Sequence, residues 1–316
     1  MQKKLLTVFF LMLTVLMLLY SKESLYFALT GLDLWFQKMI PALFPFMILS
    51  GIMVRMNLTE GFSRLFYPFF GPLFRLQKNA VYCMIMGFFC GFPMGARVII
   101  ELYERERLTR KEAQYLLSFC NNIGPIYFVS FVLPTIGMTT QSVLCLIGMY
   151  GLPLLYGLVL RYTVYRTSIP TVSVSIPKNV VSENAKQNIL YHVDDAIQTA
   201  IHSITVLGGY MILFNLLNLI PYVILSHLEL QGSLVTKLSQ LLNGLLEITS
   251  GISRMGSNFP LAALILLPLG GLSCIAQTYS IIRHTDLSLG SYIRHKGVLT
   301  LITIVYYSLL IACGLI

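Results

Sequence analysis

Charge is what this chain of 316 residues lacks: Asp, Glu, Lys and Arg make up 11% of it, and only 13 residues are acidic. A soluble domain carries about 25% charged residues, so no separate water-facing domain can be assembled here. Tryptophan occurs once. The six cysteines, Cys83, Cys90, Cys120, Cys145, Cys274 and Cys313, form no C-x-x-C pair and all lie in apolar segments. With the five histidines scattered, neither a metal site nor a redox dithiol has the spacing it needs, and the thiols read as small buried hydrophobes. No Walker A sequence, H-E-x-x-H or G-x-S-x-G is present, and Asp194-Asp195 sits at a loop edge without partners. These absences argue against nucleotide hydrolysis and catalysis, so no enzyme and no cofactor is expected.

What is there is apolar. Hydrophobic residues make up 56% of the chain, and uncharged stretches of bilayer-spanning length recur throughout. The expectation is an all-α polytopic membrane protein. The net charge of +9 sits in short loops between apolar segments, a placement that anchors cytoplasmic loops to anionic lipid and gives no reason to invoke nucleic acid. Lys3 and Lys4 precede an apolar run, Leu5 to Tyr20, that ends without a small-x-small cleavage site, so an uncleaved first helix is expected.

A second helix is expected from about Leu34 to Val54, kinked by Pro41 and Pro45, with Trp35 in the aromatic belt at its outer end. Arg55, Arg64, Arg75 and Lys78 against the single acid Glu60 mark the next connection as cytoplasmic. Within it, Phe62, Leu65, Phe66, Phe69, Phe70, Leu73 and Phe74 recur at helical spacing, as in an amphipathic helix on the inner membrane surface. Thr109-Arg-Lys-Glu112 fits a capping box, which predicts a helix starting near Arg110. Ala113 to Leu160 holds no charge and divides at Pro134 to Gln141. Arg161 to Asp195 is the one extended polar connection, and its leading Arg161, Arg166 and Lys178 make it cytoplasmic.

The most informative stretch is Met86 to Arg97, where Gly87, Gly91, Pro93 and Gly95 interrupt an otherwise membrane-compatible helix. Unpaired backbone in hydrocarbon costs several kcal/mol per group, so broken segments survive only where protein or a polar cavity surrounds them. That places a solute pathway here. Full crossing by Asn79 to Leu102 would put Arg161, Arg166 and Lys178 outside, whereas a re-entrant hairpin keeps them inside, and the charge rule favours the hairpin. A faint duplication pairs Gly91-Phe-Pro-Met-Gly-Ala96 with Gly271-Leu-Ser-Cys-Ile-Ala276, as an inverted repeat would. Inversion, however, puts Arg283, Arg294 and Lys296 outside, and a full crossing by Met255 to Ile282 puts that loop inside; both arrangements stand open.

Several residues are candidates for binding. Arg97 follows the break, where its guanidinium and the free amides of a helix beginning near Gly95 would hold a carboxylate; the alternative is an arginine snorkelling to the interface. Glu247, with Thr249 and Ser250 close by, would bind a coupling proton or cation, or else cap a short surface helix or pair with Arg254. Asn121 and Asn122 precede Gly124-Pro125 and would read a polar ligand or replace backbone bonds. Ser273 and Gln277 lie one turn apart beyond Gly270-Gly271 and would form a second half-site or join helices. A scaffold that assembles other membrane proteins through its small-residue motifs is the competing reading.

Pro41-Ala-Leu-Phe-Pro-Phe-Met-Ile-Leu-Ser50, Gly91-Phe-Pro-Met-Gly-Ala-Arg97, Gly244-Leu-Leu-Glu-Ile-Thr-Ser-Gly251 and Gly270-Gly-Leu-Ser-Cys-Ile-Ala-Gln277 together resemble the YlbJ-type sporulation integral membrane proteins. These belong to the wider nucleoside-recognition Gate family. The resemblance implies a fold of kinked and re-entrant helices related to concentrative nucleoside transporters. It also implies a bacterial cell membrane, specifically the outer forespore membrane, and a dipicolinate-like small organic anion as cargo, with nucleosides or another small solute as the alternative. Residues 1–33 then read as an anchor helix, 34–160 as a first Gate-like half, 161–195 as the cytoplasmic connection and 196–316 as a second half. The expected partners are the anion, membrane lipid and a coupling ion, with homo-oligomer formation left open.

Overall fold

The computed structural model describes residues 2–166, 169, 189–227 and 233–316. Most of the polar connection, with Pro170, Pro177 and Lys178, lies outside the described residues. The elements are α1 (Gln2–Leu19), α2 (Ser21–Arg55), α3 (Thr59–Phe74), α4 (Lys78–Cys90), α5 (Met94–Glu104), α6 (Arg110–Leu117), α7 (Pro125–Thr135) and α8 (Ser142–Tyr162). They continue with α9 (Ile189–Leu216), α10 (Leu219–His227), α11 (Ser233–Leu246), α12 (Ile248–Met255), α13 (Pro260–Leu266), α14 (Gly271–Ile282) and α15 (Leu289–Ala312).

Five stretches among the described residues are long and apolar enough to cross a membrane: α2, α8, α9 with α10, α13 with α14, and α15. Leu18, Leu155, Leu301 and Leu309 point outward and exposed, a surface suited to lipid. The chain is an all-α, multi-pass integral membrane protein.

The second helix begins at Ser21, earlier than the apolar pattern predicts, and runs on through Pro41 and Pro45. A proline ring crowds the carbonyl four residues upstream, and the helix widens there into a π-type turn at Trp35–Met39. The same widening, Phe128–Val132 and Ile147–Gly151, ends two residues before Pro134 and Pro153. Within this helix the Trp35 indole donates to the Ile204 carbonyl at 2.8 Å and packs where Gly208 leaves room. Gly31 against Ile212 and Gly51 against Ala196 complete an antiparallel contact between α2 and α9, the small-residue packing that substitutes for a hydrophobic driving force in lipid.

Lys78–Glu104 folds back as a hairpin. Cys83 lies beside Val98, and Gly87 beside Gly95, so α4 and α5 run antiparallel about a tip at Gly91-Phe-Pro93. A second hairpin, α11 and α12, turns at Glu247, with Gln240 donating to the Arg254 carbonyl and Gly244 against Gly251. Each hairpin is followed by an interrupted helix: α6 and α7 separated by residues 118–124, and α13 and α14 separated by residues 267–270. The sequence duplication pairs unlike elements, because Gly91 forms a hairpin tip and Gly271 resumes a crossing helix.

One end of the molecule gathers the basic loops. Arg107 reaches Asn57 at 2.9 Å, Arg110 reaches Asp286 at 2.9 Å, and Arg161 donates to Phe74 O at 2.9 Å and Arg75 O at 3.2 Å. The open end of the first hairpin lies here, since Gln77 donates to the Arg107 carbonyl. The second hairpin opens at the other end, where Arg254 covers Phe27 near the start of α2 and Gly256 approaches Thr135. The loop after α14 thus joins the basic face, so Pro260–Ile282 crosses completely, as the charge rule requires.

The capping box at Thr109 and Glu112 forms as expected, and Gln77 also donates to Glu112 at 3.0 Å. The aromatic stripe of α3 divides: Phe69 is exposed, whereas Phe74 is buried and stacks on Phe119. Five cysteines are buried and Cys313 is exposed, contrary to the expectation of six buried thiols.

Candidate functional site

The site begins where the first hairpin tip crosses the unwound 118–124 stretch. Gly91 adopts φ +84° and lies directly on Gly124, leaving no room for a Cβ. Gly87 and Gly95 flank the Cys120 carbonyl in the same way. Unwinding frees carbonyls that hydrocarbon cannot satisfy, and each of four finds a donor. Phe119 O accepts from Asn122 Nδ2 at 2.6 Å, Ile123 O from Tyr150 OH at 3.0 Å, and Gly124 O from Phe128 N at 2.9 Å. Asn121 O accepts from the ammonium of Lys296, which also donates to Asn122 Oδ1 at 3.1 Å. Asn121 Nδ2 in turn donates to Tyr292 OH at 3.0 Å and Thr278 Oγ1 at 3.3 Å.

Asn121 and Asn122 are fully buried in this network and line neither cavity described below. They repair the backbone freed before Pro125, the structural half of what their position suggested. Lys296 was read only as a loop charge. It is 1% exposed on α15, and nothing in a single lysine near a helix start distinguishes a buried ammonium from an interfacial one.

Arg97 faces the larger cavity, about 750 Å³, lined by residues of α2, α5, α9 and α14. Its Nη2 touches the Thr199 carbonyl at 3.5 Å, and among the described residues it forms no ion pair. The amides expected to join it are already used: Gly95 N donates to Gly91 O, Ala96 N to Asn121 Oδ1, and Arg97 N to Pro93 O. The cradle is therefore a guanidinium without free helix-terminal amides from those three residues. Pro93 lines the same cavity, whose walls hold four arginines, Arg55, Arg97, Arg105 and Arg283, against two glutamates, Glu101 and Glu104.

Two of those arginines are already engaged. Arg55 pairs with Asp195 and with Glu101 at 3.2 Å and donates to Thr199 Oγ1 at 2.8 Å; Arg105 reaches Glu101 at 3.6 Å. Asp195 thus has a partner, contrary to its reading as an isolated loop-edge acid. The nearest sequence clue was the absence of any other acid near Arg55 on its own helix.

A smaller cavity of about 40 Å³ lies where both hairpin tips approach the interrupted helices. Met39, Leu43, Phe46, Phe92 and Tyr127 supply apolar walls, and Glu247, Thr249 and Gln277 the polar ones. Gln277 and Leu207 line both cavities and form the boundary between them. Gln277 Nε2 donates to Ser273 Oγ at 2.9 Å within α14, so this pair neither joins helices nor directs Ser273 outward.

Glu247 is 1% exposed. Its carboxylate caps α12 by accepting from Thr249 N at 3.1 Å and Ser250 N at 2.7 Å, and Asn215 Nδ2 approaches at 3.3 Å. Charge-assisted bonds of this kind offset the cost of burying the acid. Arg254 lies over Phe27, 4.6 Å from the ring centre, and forms no ion pair with Glu247 among the described residues. Ser250 is buried beneath the cap, and Gly271, at φ +73°, lies against the Gly244 carbonyl at 3.0 Å from an added Cβ. The candidates therefore sort into Pro93, Arg97 and Gln277 on the larger cavity; Glu247, Thr249 and Gln277 on the smaller; and Gly91, Gly95, Asn121, Asn122, Ser250, Gly271 and Ser273 in the supporting frame.

Two hairpins whose tips meet interrupted helices beside the two cavities are the architecture of this integral membrane protein, and residues 36–152 match the Gate family, described as nucleoside recognition. The chain is moreover similar to the sporulation integral membrane protein YlbJ of Bacillus subtilis, at 27% identity over 310 residues, covering 88% of this chain and 75% of that relative. Both resemblances expected from the motifs are thereby found. No solved structure matches the chain.

Proposed function

We propose that the protein carries a small organic anion, dipicolinate-like in chemistry, across a bacterial cell membrane. The observation that carries this reading is Arg97: a cation without an acidic partner among the described residues, on the wall of a 750 Å³ cavity that Gln277 and Leu207 separate from the smaller chamber. Arginine holds planar carboxylates through paired charge-assisted hydrogen bonds. The surplus of arginine over glutamate on the same wall favours an anion over a neutral nucleoside. The name of the Bacillus subtilis relative supports a role in sporulation, and the outer forespore membrane is the location this reading implies.

Glu247 serves in this account as the group that takes up a coupling proton or cation, because it is a buried acid on the wall of the inner chamber. The protein is a carrier and not an enzyme in this reading. Accumulation of labelled dipicolinate, and separately of labelled nucleosides, in vesicles bearing the purified protein tests the proposal. Dipicolinate entry above that of protein-free vesicles is expected; identical entry in both preparations refutes it, and nucleoside entry alone replaces the anion by the alternative cargo.

A further inference from the structure

Lys296 is 1% exposed on an apolar helix, and no acid pairs with it among the described residues. Its terminal nitrogen instead donates to two uncharged oxygens, the Asn121 carbonyl and Asn122 Oδ1 at 3.1 Å, both on the unwound 118–124 stretch. The Tyr292 ring lies below it at 5.7 Å from the ring centre. The stretch follows the C-terminal end of α6, where helix dipoles add negative potential. Uncharged oxygens converging from unwound backbone are the ligand set with which broken membrane helices hold dissolved monovalent cations. An ammonium on a tether fills the same electrostatic role.

We infer that Lys296 is a built-in monovalent cation for the unwound 118–124 segment, and that the wild-type protein therefore needs no dissolved cation there. Removing the side chain beyond Cβ leaves oxygens aimed at a space that a sodium ion, or n-propylammonium (the fragment deleted), would occupy. The inference concerns the frame behind Arg97 and does not depend on what is transported.

The test uses detergent-purified full-length wild type, Lys296→Ala and Lys296→Met, with melting temperature read in N-methylglucamine, sodium or n-propylammonium chloride at equal ionic strength. Wild type should melt at the same temperature in all three. Lys296→Ala should melt roughly 5 °C lower in N-methylglucamine, as loss of a buried donor to two acceptors implies, and regain at least about half of that loss in sodium or n-propylammonium, on the binding linkage that any ligand of the folded state exerts. Lys296→Met, which keeps the bulk without the charge, should be destabilised and regain nothing. The inference is overturned if Lys296→Met matches wild type, if neither cation restores Lys296→Ala, or if wild type itself requires sodium. Should Lys296→Ala fail to fold in every salt, the methionine variant decides between charge and bulk. Vesicle flux plays no part in this readout, so failure of the transport proposal would leave it standing, and the reverse.

Discussion

Arg55 at the end of α2 reaches Glu101 on the second arm of the first hairpin at 3.2 Å and, through its Nε, pairs with Asp195 on α9. One guanidinium thus ties three elements together at the mouth of the larger cavity. Arg55 is buried, and its Glu101 partner is mostly so. Removing one partner of such a pair leaves the other uncompensated, which outweighs the modest net value of the pair itself. Arg55→Ala should lower stability by about 2–3 kcal/mol, and adding Glu101→Ala should recover part of that loss. Chemical or thermal unfolding of both variants in detergent measures the coupling; simple additivity would mean the contact carries no weight.

Glycines at the two hairpin crossings should tolerate nothing larger. A Cβ at Gly91 would enter the backbone of Gly124, and one at Gly251 would enter that of Gly244. At Gly91 the φ of +84° adds a conformational cost. Gly91→Ala and Gly251→Ala should each cost more than about 3 kcal/mol or prevent accumulation of folded protein. Gly61→Ala, where the space is open, should be neutral. Yield and monodispersity on size-exclusion chromatography separate these outcomes.

Much of this was legible in the sequence because the physics is local. The glycine-proline cluster Gly91-Phe-Pro-Met-Gly95 marks a break in an uncharged run, and the loop charges then favour a return of Lys78–Glu104 to the face it left. The two remote pairings were not legible. Nothing near Trp35 in the chain tells that α9 brings Gly208 beneath its indole, and Lys296 looks like one more loop cation until the unwound carbonyls are in place. The amides near Gly95 were expected to be free because their acceptors, Gly91 O, Pro93 O and Asn121 Oδ1, depend on the turn and on a residue 25 positions away. The missing information is tertiary in each of these cases.

Sidedness follows from the ties among loops. Lys111 and Asp286 are exposed on the basic face, whereas Thr140 is exposed at the far end. On a background without native cysteines, Lys111→Cys and Asp286→Cys should react with a membrane-impermeant maleimide from the same side, and Thr140→Cys from the opposite one. In the unmodified, detergent-purified protein, Cys313 should react first, since the other five thiols are buried.

Glu247 holds the first turn of α12 by its carboxylate. Glu247→Ala should cost about 0.5–2 kcal/mol, the usual range for a lost N-cap. Glu247→Gln keeps one acceptor oxygen and should recover much of that stability. If the acid also takes up the coupling ion, the glutamine variant should fold and yet lose ion-driven accumulation. Equal accumulation by wild type and Glu247→Gln would restrict Glu247 to the cap.

The account stands or falls on Arg97, whose guanidinium faces the larger cavity while the three amides from Gly95 to Arg97 are spoken for. The most direct measurement is the initial rate of labelled dipicolinate entry into vesicles carrying wild type, Arg97→Lys or Arg97→Ala, each verified to be folded and inserted. The predicted result is a rate at least about tenfold lower for alanine, the scale of a lost charge-assisted contact of more than 1.4 kcal/mol, with lysine in between because it keeps the charge and loses the fork. Equal rates for the three proteins, or none above protein-free vesicles, would contradict it.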